Sequence, residues 1–247
     1  MKDITIICCW NDKKQYQRLI DSIKIQDIKV NIIGIDNRNQ VYTSCSRALN
    51  DAIYQVNTKY VLFSHQDIIF NSPTALNRIL AYLNCINESD ILGVAGSSFN
   101  SIYVKTNVLV GNCDELEYGG TERVNGIEEC NTLDECLFGG YTEYFRKTKF
   151  DESICYGWHL YAVEICLRTM YNGGKIYVCD EKLCVNCNKC RSVCPNNKKN
   201  KKYRPLEWKQ GWTTFNTRSL SSSGGQDPGS SQSRKGHQPS EKASIPR

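Results

Sequence analysis

Three polar side chains, His65, Gln66 and Asp67, follow the apolar run Val61-Leu62-Phe63 within "KYVLFSHQDIIF" (59–70). A strand buried on both faces has no cheap place for an imidazole, an amide and a carboxylate, so they belong at its end. A carboxylate there can hold a hard divalent cation, which in turn bridges phosphate oxygens. A neutral imidazole beside it can coordinate a metal or hydrogen-bond a ligand. Asp67 would serve equally well as a plain turn residue. Two other apolar runs end in the same manner: "ITIICCW" (4–10) passes from Trp10 to Asn11-Asp12, and "VNIIGID" (30–36) ends at Asp36-Asn37.

A second constellation is "LCVNCNKCRSVCP", which places Cys184, Cys187, Cys190 and Cys194 in the order C-x2-C-x2-C-x3-C-P. That spacing is the one bacterial ferredoxins use for 4Fe-4S clusters, although no second motif is present to supply a partner cluster. Four thiolates also suit a tetrahedral zinc knuckle, and a segment with no metal is the third reading. Most of the first ten of the 14 cysteines are expected to be small buried apolar residues.

The elements that would carry the strand-end residues alternate. Apolar runs at 4–10, 30–36, 59–64 and 90–98 read as strands, with "VNIIGID" expected to be buried. Helical periods run through 13–26, 44–56 and 71–83, the last with Asn71 or Ser72 as capping candidates and Pro73 in its first turn. This alternation is the pattern of a parallel α/β sheet, whose ligands bind outside the carboxyl ends of the strands. Residues 100–131 show no sustained period and read as a long loop or β-excursion. Residues 133–145 regain strand character, a helix starts near Trp158 and closes at Gly173-Gly174, and "KIYVCD" (175–180) is a last strand.

The net charge of +5 is unevenly placed. Residues 1–181 hold 17 basic against 23 acidic side chains, a net −6, whereas 182–204 hold eight basic residues and no acid. An acidic globular region argues against a nucleic-acid binder. The basic strip "NNKKNKKYRP" (196–205) reads as a solvated linker, with peripheral contact to an anionic membrane as the most it would add. No apolar run reaches the ~18–20 residues of a membrane span. The start lacks the pattern of a signal peptide, so the cytoplasm is the expected location.

The ordered set "IIGIDN", "SRALNDAI", "KYVLFSHQDIIF", "DILGVAGSS", "LDECLF", "FDESICYGWHLYAVEICLR" and "GGKIYVCD" resembles the family 2-type glycosyltransferases. Within them it is most similar to the streptomycin-biosynthesis-type glycosyltransferase-like subgroup. The resemblance covers roughly residues 3–181. It implies a GT-A fold: an α/β, Rossmann-like mixed sheet flanked by helices, binding a nucleoside-diphosphate sugar with Mg or Mn. It places Asp36, with Asn37, at the base or ribose, and Asp67 at the metal, with His65 standing where many members carry the first Asp of D-x-D. Trp10 and Asn11 complete the expected donor side. Asp134 and Glu135 match an acidic position ahead of the strand that lines the donor sugar, or else form an acidic turn. Inverting members carry the proton-accepting Asp where this chain has Ala162, which leaves His159 or Glu164 as catalytic candidates.

These readings give an expected organisation of a GT-A domain over 1–181, a Cys-rich basic appendage over 182–216 and a disordered Ser/Gly-rich tail over 217–247. The expected activity is transfer of a sugar from its nucleoside-diphosphate donor to a saccharide, lipid or protein hydroxyl. An iron–sulfur or zinc redox protein using the C-terminal cysteines, and a nucleotide-sugar-binding protein without turnover, are the alternatives.

Overall fold

A computed structural model of the chain describes residues 2–112 and 115–185, all within one compact unit. Cys187, Cys190, Cys194, the basic strip and the Ser/Gly-rich tail lie outside the described residues. In chain order the elements begin β1 (Ile4–Trp10), α1 (Lys13–Lys24), β2 (Asn31–Asp36), α2 (Cys45–Ile53), β3 (Tyr60–Ser64), β4 (Ile68–Phe70) and α3 (Ala75–Leu83). They continue through β5 (Ile91–Gly93), β6 (Ala95–Ser97), β7 (Val104–Thr106), β8 (Leu109–Asn112), β9 (Glu115–Tyr118), β10 (Ile127–Cys130) and β11 (Thr132–Leu133). The last are β12 (Leu137–Tyr141), α4 (Thr142–Thr148), α5 (Tyr161–Tyr171), β13 (Ile176–Cys179) and β14 (Leu183–Val185).

The main sheet has seven strands in the order β10-β13-β5-β12-β3-β1-β2. β1 pairs in parallel with both β2 and β3, while β12 inserts antiparallel between β3 and β5, so the sheet is mixed. Alternate residues of its strands feed two separate cores. Ile4, Ile6, Cys8, Tyr60 and Leu62 face Leu19 and Ile23 of α1 and Leu76, Ile79 and Leu83 of α3. Ile7, Val61 and Phe63 face Leu49 and Ile53 of α2, Phe145 of α4 and Ile165 of α5. This period of two is what a sheet covered on both faces demands. β2 is not buried as expected: it is the edge strand, and most of its residues are half-exposed.

Two helices start where the sequence supplies caps. Asp12 Oδ1 accepts from the Lys14 and Gln15 amides at 2.8 and 3.1 Å, and Ser44 Oγ accepts from the Arg47 amide at 3.4 Å. α3 begins at Ala75 without a side-chain cap, because Ser72 turns its hydroxyl to Thr74. The strand expected over 133–145 ends at Tyr141 and becomes α4, and the 100–131 segment holds β7 to β10. Four strands form a smaller sheet, β4-β14-β8-β9. β14 lies past the boundary expected at residue 181, with Leu183 and Cys184 fully buried, so the described fold runs on through Val185. Glu181, also fully buried, is held by a two-pronged ion pair with Arg78 at 2.6 and 2.7 Å. Among the described residues no helix is long and apolar enough to cross a membrane.

Candidate functional site

A cleft of about 300 Å³ opens at the carboxyl ends of β1 and β3, lined by residues that include Trp10, Asn11, Asn37, His65, Gln66, Asp67, Trp158 and His159. The polar tripeptide is the joint between sheets: β3 ends at Ser64 in the large sheet and β4 begins at Ile68 in the small one. Its three side chains take three directions. His65 Nε2 lies 3.3 Å from the Tyr161 hydroxyl at the start of α5. Gln66 braces the loop after β1: its Oε1 accepts from the Asn11 and Asp12 amides, both at 2.8 Å, and its Nε2 donates to Asn11 Oδ1 at 2.9 Å. Asp67 lines the cleft, and its carboxylate makes no hydrogen bond or ion pair among the described residues.

On the donor side, Trp10 stacks on Tyr16 with ring centroids 4.7 Å apart and an angle of 4°, and the Arg38 guanidinium lies 5.0 Å from the Trp10 ring. Gly34 makes room for the stack, since a Cβ there would run into the Tyr16 ring. Asp36 is exposed and gripped by Arg38 through bonds of 2.6 to 3.1 Å, which hold its carboxyl below the usual pKa. Asn37 lines the cleft, but its amide is engaged with the Tyr42 backbone at 2.8 and 3.0 Å, shaping the 37–42 loop.

The acidic pair ahead of β12 divides its work. Asp134 Oδ1 accepts from the Cys136 amide at 2.9 Å. Burial pushes its carboxyl pKa up, with His65 pulling it down and Asp67 adding to the rise, which puts Asp134 within electrostatic reach of the tripeptide. Glu135 reaches toward the late helix: its Oε2 lies 3.7 Å from His159 Nδ1, and its Oε1 is buried with no partner among the described residues. Burial first, then Asp134, push the Glu135 carboxyl up to about 8, against a downward pull from the Leu160 and Tyr161 amides.

The structure therefore brings Trp10, Asn11, Asn37, His65, Asp67 and His159 to one cleft; Asp134 and Glu135 do not line it, though Glu135 reaches His159. Glu164 is elsewhere: it is ion-paired to Arg168 at 2.7 and 3.0 Å and accepts from the Asp151 amide at 3.4 Å. Ala162 is fully buried in α5. Cys184 packs with Ile69 and Leu109 inside the small sheet's apolar cluster, where Asn71 Nδ2 donates to its sulfur at 3.6 Å. Sequence reasoning missed the Gln66 brace and the cleft contributions of Cys45 and Tyr161. Their partners are far away in sequence, so no local pattern marks them.

The cleft's chemistry fits a divalent cation carried with a diphosphate. Asp67 offers open carboxylate oxygens, but among the described residues no three His, Cys, Asp or Glu side chains converge tightly enough to hold an ion alone. Phosphate oxygens and water would have to complete the shell, as is usual for Mg.

Solved structures share the fold at low identity. GalNAc-T7, solved with UDP, GalNAc and Mn2+, superposes with a TM-score of 0.55 at 8% identity over 77% of this chain and 45% of that one. S. aureus TarS 1-349 in complex with UDP-GlcNAc gives 0.53 at 13% identity over 81% and 62%. The mannosyltransferase PcManGT from Pyrobaculum calidifontis, with GDP-Man and Mn2+, gives 0.52 at 11% over 73% and 56%. The chain thus spans about half to three fifths of these proteins, and its fold is GT-A. Among curated proteins, "ATP synthase subunits region ORF 6" of Fuscovulum blasticum is 23% identical over 68% of this chain and 69% of its own length. Mouse beta-1,4 N-acetylgalactosaminyltransferase 2 is 28% identical over 106 residues, 41% of this chain and 21% of its own. The sequence model of the glycosyltransferase-like family matches residues 5–207, so the chain belongs to that family.

Proposed function

We propose that the protein transfers a hexosyl group from a nucleoside-diphosphate sugar to an acceptor hydroxyl, in the manner of the streptomycin-biosynthesis-type subgroup. The observation that carries this is Asp67: a carboxylate with no hydrogen bond or ion pair among the described residues, in a cleft at the carboxyl ends of parallel strands. Asp67 would hold the divalent cation, with His65 at its side. Bound there, Mg or Mn supplies charge neutralisation for the departing diphosphate. Trp10 and Asn11 bound the nucleotide side, the latter fixed by Gln66. Asn37 shapes the 37–42 loop beneath it. Phe63 and Tyr161 line the cleft wall and help exclude water.

Calorimetric titration of the full chain with UDP-GlcNAc, UDP-GalNAc and GDP-Man, with and without Mn2+, tests this. At least one donor should bind, and Mn2+ should tighten it. Asp67→Asn, nearly isosteric, should weaken Mn2+-dependent binding by ~10–100-fold while the circular dichroism spectrum stays that of the parent. Unchanged affinity in folded Asp67→Asn protein removes the metal assignment. A nucleotide-sugar-binding protein without turnover is the second reading, favoured by the buried methyl of Ala162.

A further inference from the structure

We propose that His159 is the proton acceptor of the transfer step and that Glu135 is the positioning residue that orients it. The inference rests on the glycosyl-transfer reading above and supplies the base which that reading leaves unassigned. Three other groups near the start of α5 are ruled out by their surroundings. Ala162 has no basic atom, Glu164 is committed to Arg168, and Asp134 does not line the cleft and has its Oδ1 on the Cys136 amide.

His159 has what the role needs. It lines the same cleft as Asp67, and 71% of its side chain is exposed, so an acceptor can reach it. Its Nδ1 is turned to Glu135 Oε2 at 3.7 Å, which directs Nε2 to the opposite side of the ring. The segment is pinned on both flanks. The Gly157 carbonyl accepts from the Cys45 amide at 3.0 Å, and Leu160 sits at φ 72°, a left-handed conformation rare for a branched side chain. Strain spent next to a candidate catalytic residue is a feature of sites that hold a side chain in one pose.

Glu135 is built to serve a neighbour. Only 13% of its side chain is exposed, the Leu160 and Tyr161 amides act on its carboxyl, and Oε1 is buried without a partner among the described residues. A carboxyl desolvated to this degree gains most when a positive charge forms beside it. That charge would be the imidazolium. His159 Nε2 takes the acceptor's hydroxyl proton, and the acceptor oxygen bonds to the anomeric carbon. The bond from that carbon to the diphosphate oxygen breaks, and its electron pair leaves with the nucleoside diphosphate. With water as acceptor the same balance yields free sugar.

The test follows nucleoside-diphosphate release from the donor that binds, with Mn2+ and water as acceptor, using the full chain. His159→Ala should lower turnover by ~10²–10⁴-fold with donor affinity within about threefold of the parent, and added imidazole should restore part of the rate. Glu135→Gln keeps an oxygen for the α5 amides but cannot ionise, so no carboxylate stands beside the imidazolium when it forms. It should lower kcat at unchanged KM, with no rescue by imidazole, since its own ring is present. A His159→Ala protein that matches the parent, that imidazole does not rescue, or whose affinity falls in step with its rate overturns the proposal. A parent that binds a donor yet releases no nucleotide also overturns it. A parent that binds no donor removes the glycosyl-transfer reading itself, an outcome the titration distinguishes from the others.

Discussion

Replacing Gln66 by Leu removes three hydrogen bonds at once and keeps the side-chain volume. The bonds measure 2.8, 2.8 and 2.9 Å and tie the loop after β1 to the loop after β3. A net ~0.5–1.5 kcal/mol each would sum to roughly 1.5–4.5 kcal/mol. Asn11 and Asp12 are exposed, however, so water can take over their amides and the full desolvation cost is not incurred. A loss of about 1–2 kcal/mol is the expected result, which lowers Tm by about 3–6 °C for a domain of this size. The effect on the donor should exceed what stability alone predicts, because Asn11 loses its orientation at the cleft wall. Thermal unfolding followed by circular dichroism reads the first quantity, and titration with donor and Mn2+ reads the second. Gln66→Glu is the control: its carboxylate still accepts from both amides, so its Tm should fall less than that of Gln66→Leu. A Gln66→Leu protein with the parent's Tm and donor affinity would show that the brace contributes nothing.

Arg78→Ala strands Glu181 in the interior. An unpaired buried charge costs about 3–5 kcal/mol, but Arg78 is 45% exposed and water weakens the pair, so about 2–3 kcal/mol is expected at pH 7. Burial already raises the Glu181 pKa against the pull of Arg78, and losing Arg78 raises it further. A raised carboxyl pKa means stability falls as pH rises from the unfolded toward the folded pKa, so Arg78→Ala should recover ground near pH 5. Equal losses at pH 5 and 7 in urea titrations would refute this. Phe63→Ala opens the aromatic cluster, in which the Phe63 ring lies 4.9, 5.0 and 5.3 Å from Phe145, Phe150 and Phe138. It should cost about 3–5 kcal/mol by urea unfolding, and a loss below 1 would mean that the neighbouring rings close over the gap.

The first five elements were legible because each announces itself locally: an apolar β-branched run, a polar exit, and a helical period over 13–26 or 44–56. The strand-end rule also brought His65 and Asp67 to the cleft from sequence alone. What failed was whatever depends on sheet order or on which side chains pair with each other. β2 has the composition of an interior strand, but only sheet order makes it an edge. Asp36 reads as a free carboxylate until Arg38, two residues on, folds back over it. Glu164 sits at the start of a helix like a catalytic acid, and its i+4 pairing with Arg168 was the signal to the contrary. α4 was hidden because "GGYTEYF" carries no capping side chain to mark where the strand stops.

The placing of β12 between β3 and β5 bears on how the protein is made. A chain emerging from the ribosome completes β3 at residue 64 and β5 at residue 93, but the strand that joins them does not start until residue 137. Until then both strands present open edges, and Val61 and Phe63 lack Phe138 and Phe145 as cover. Unpaired apolar edges are what chaperones and aggregates compete for. Premature termination or translational pausing between residues 93 and 137 is therefore the interval in which this protein is most exposed to misassembly. Stalled chains of increasing length should turn from protease-sensitive to protease-resistant only once Tyr141 and α5 have cleared the exit tunnel.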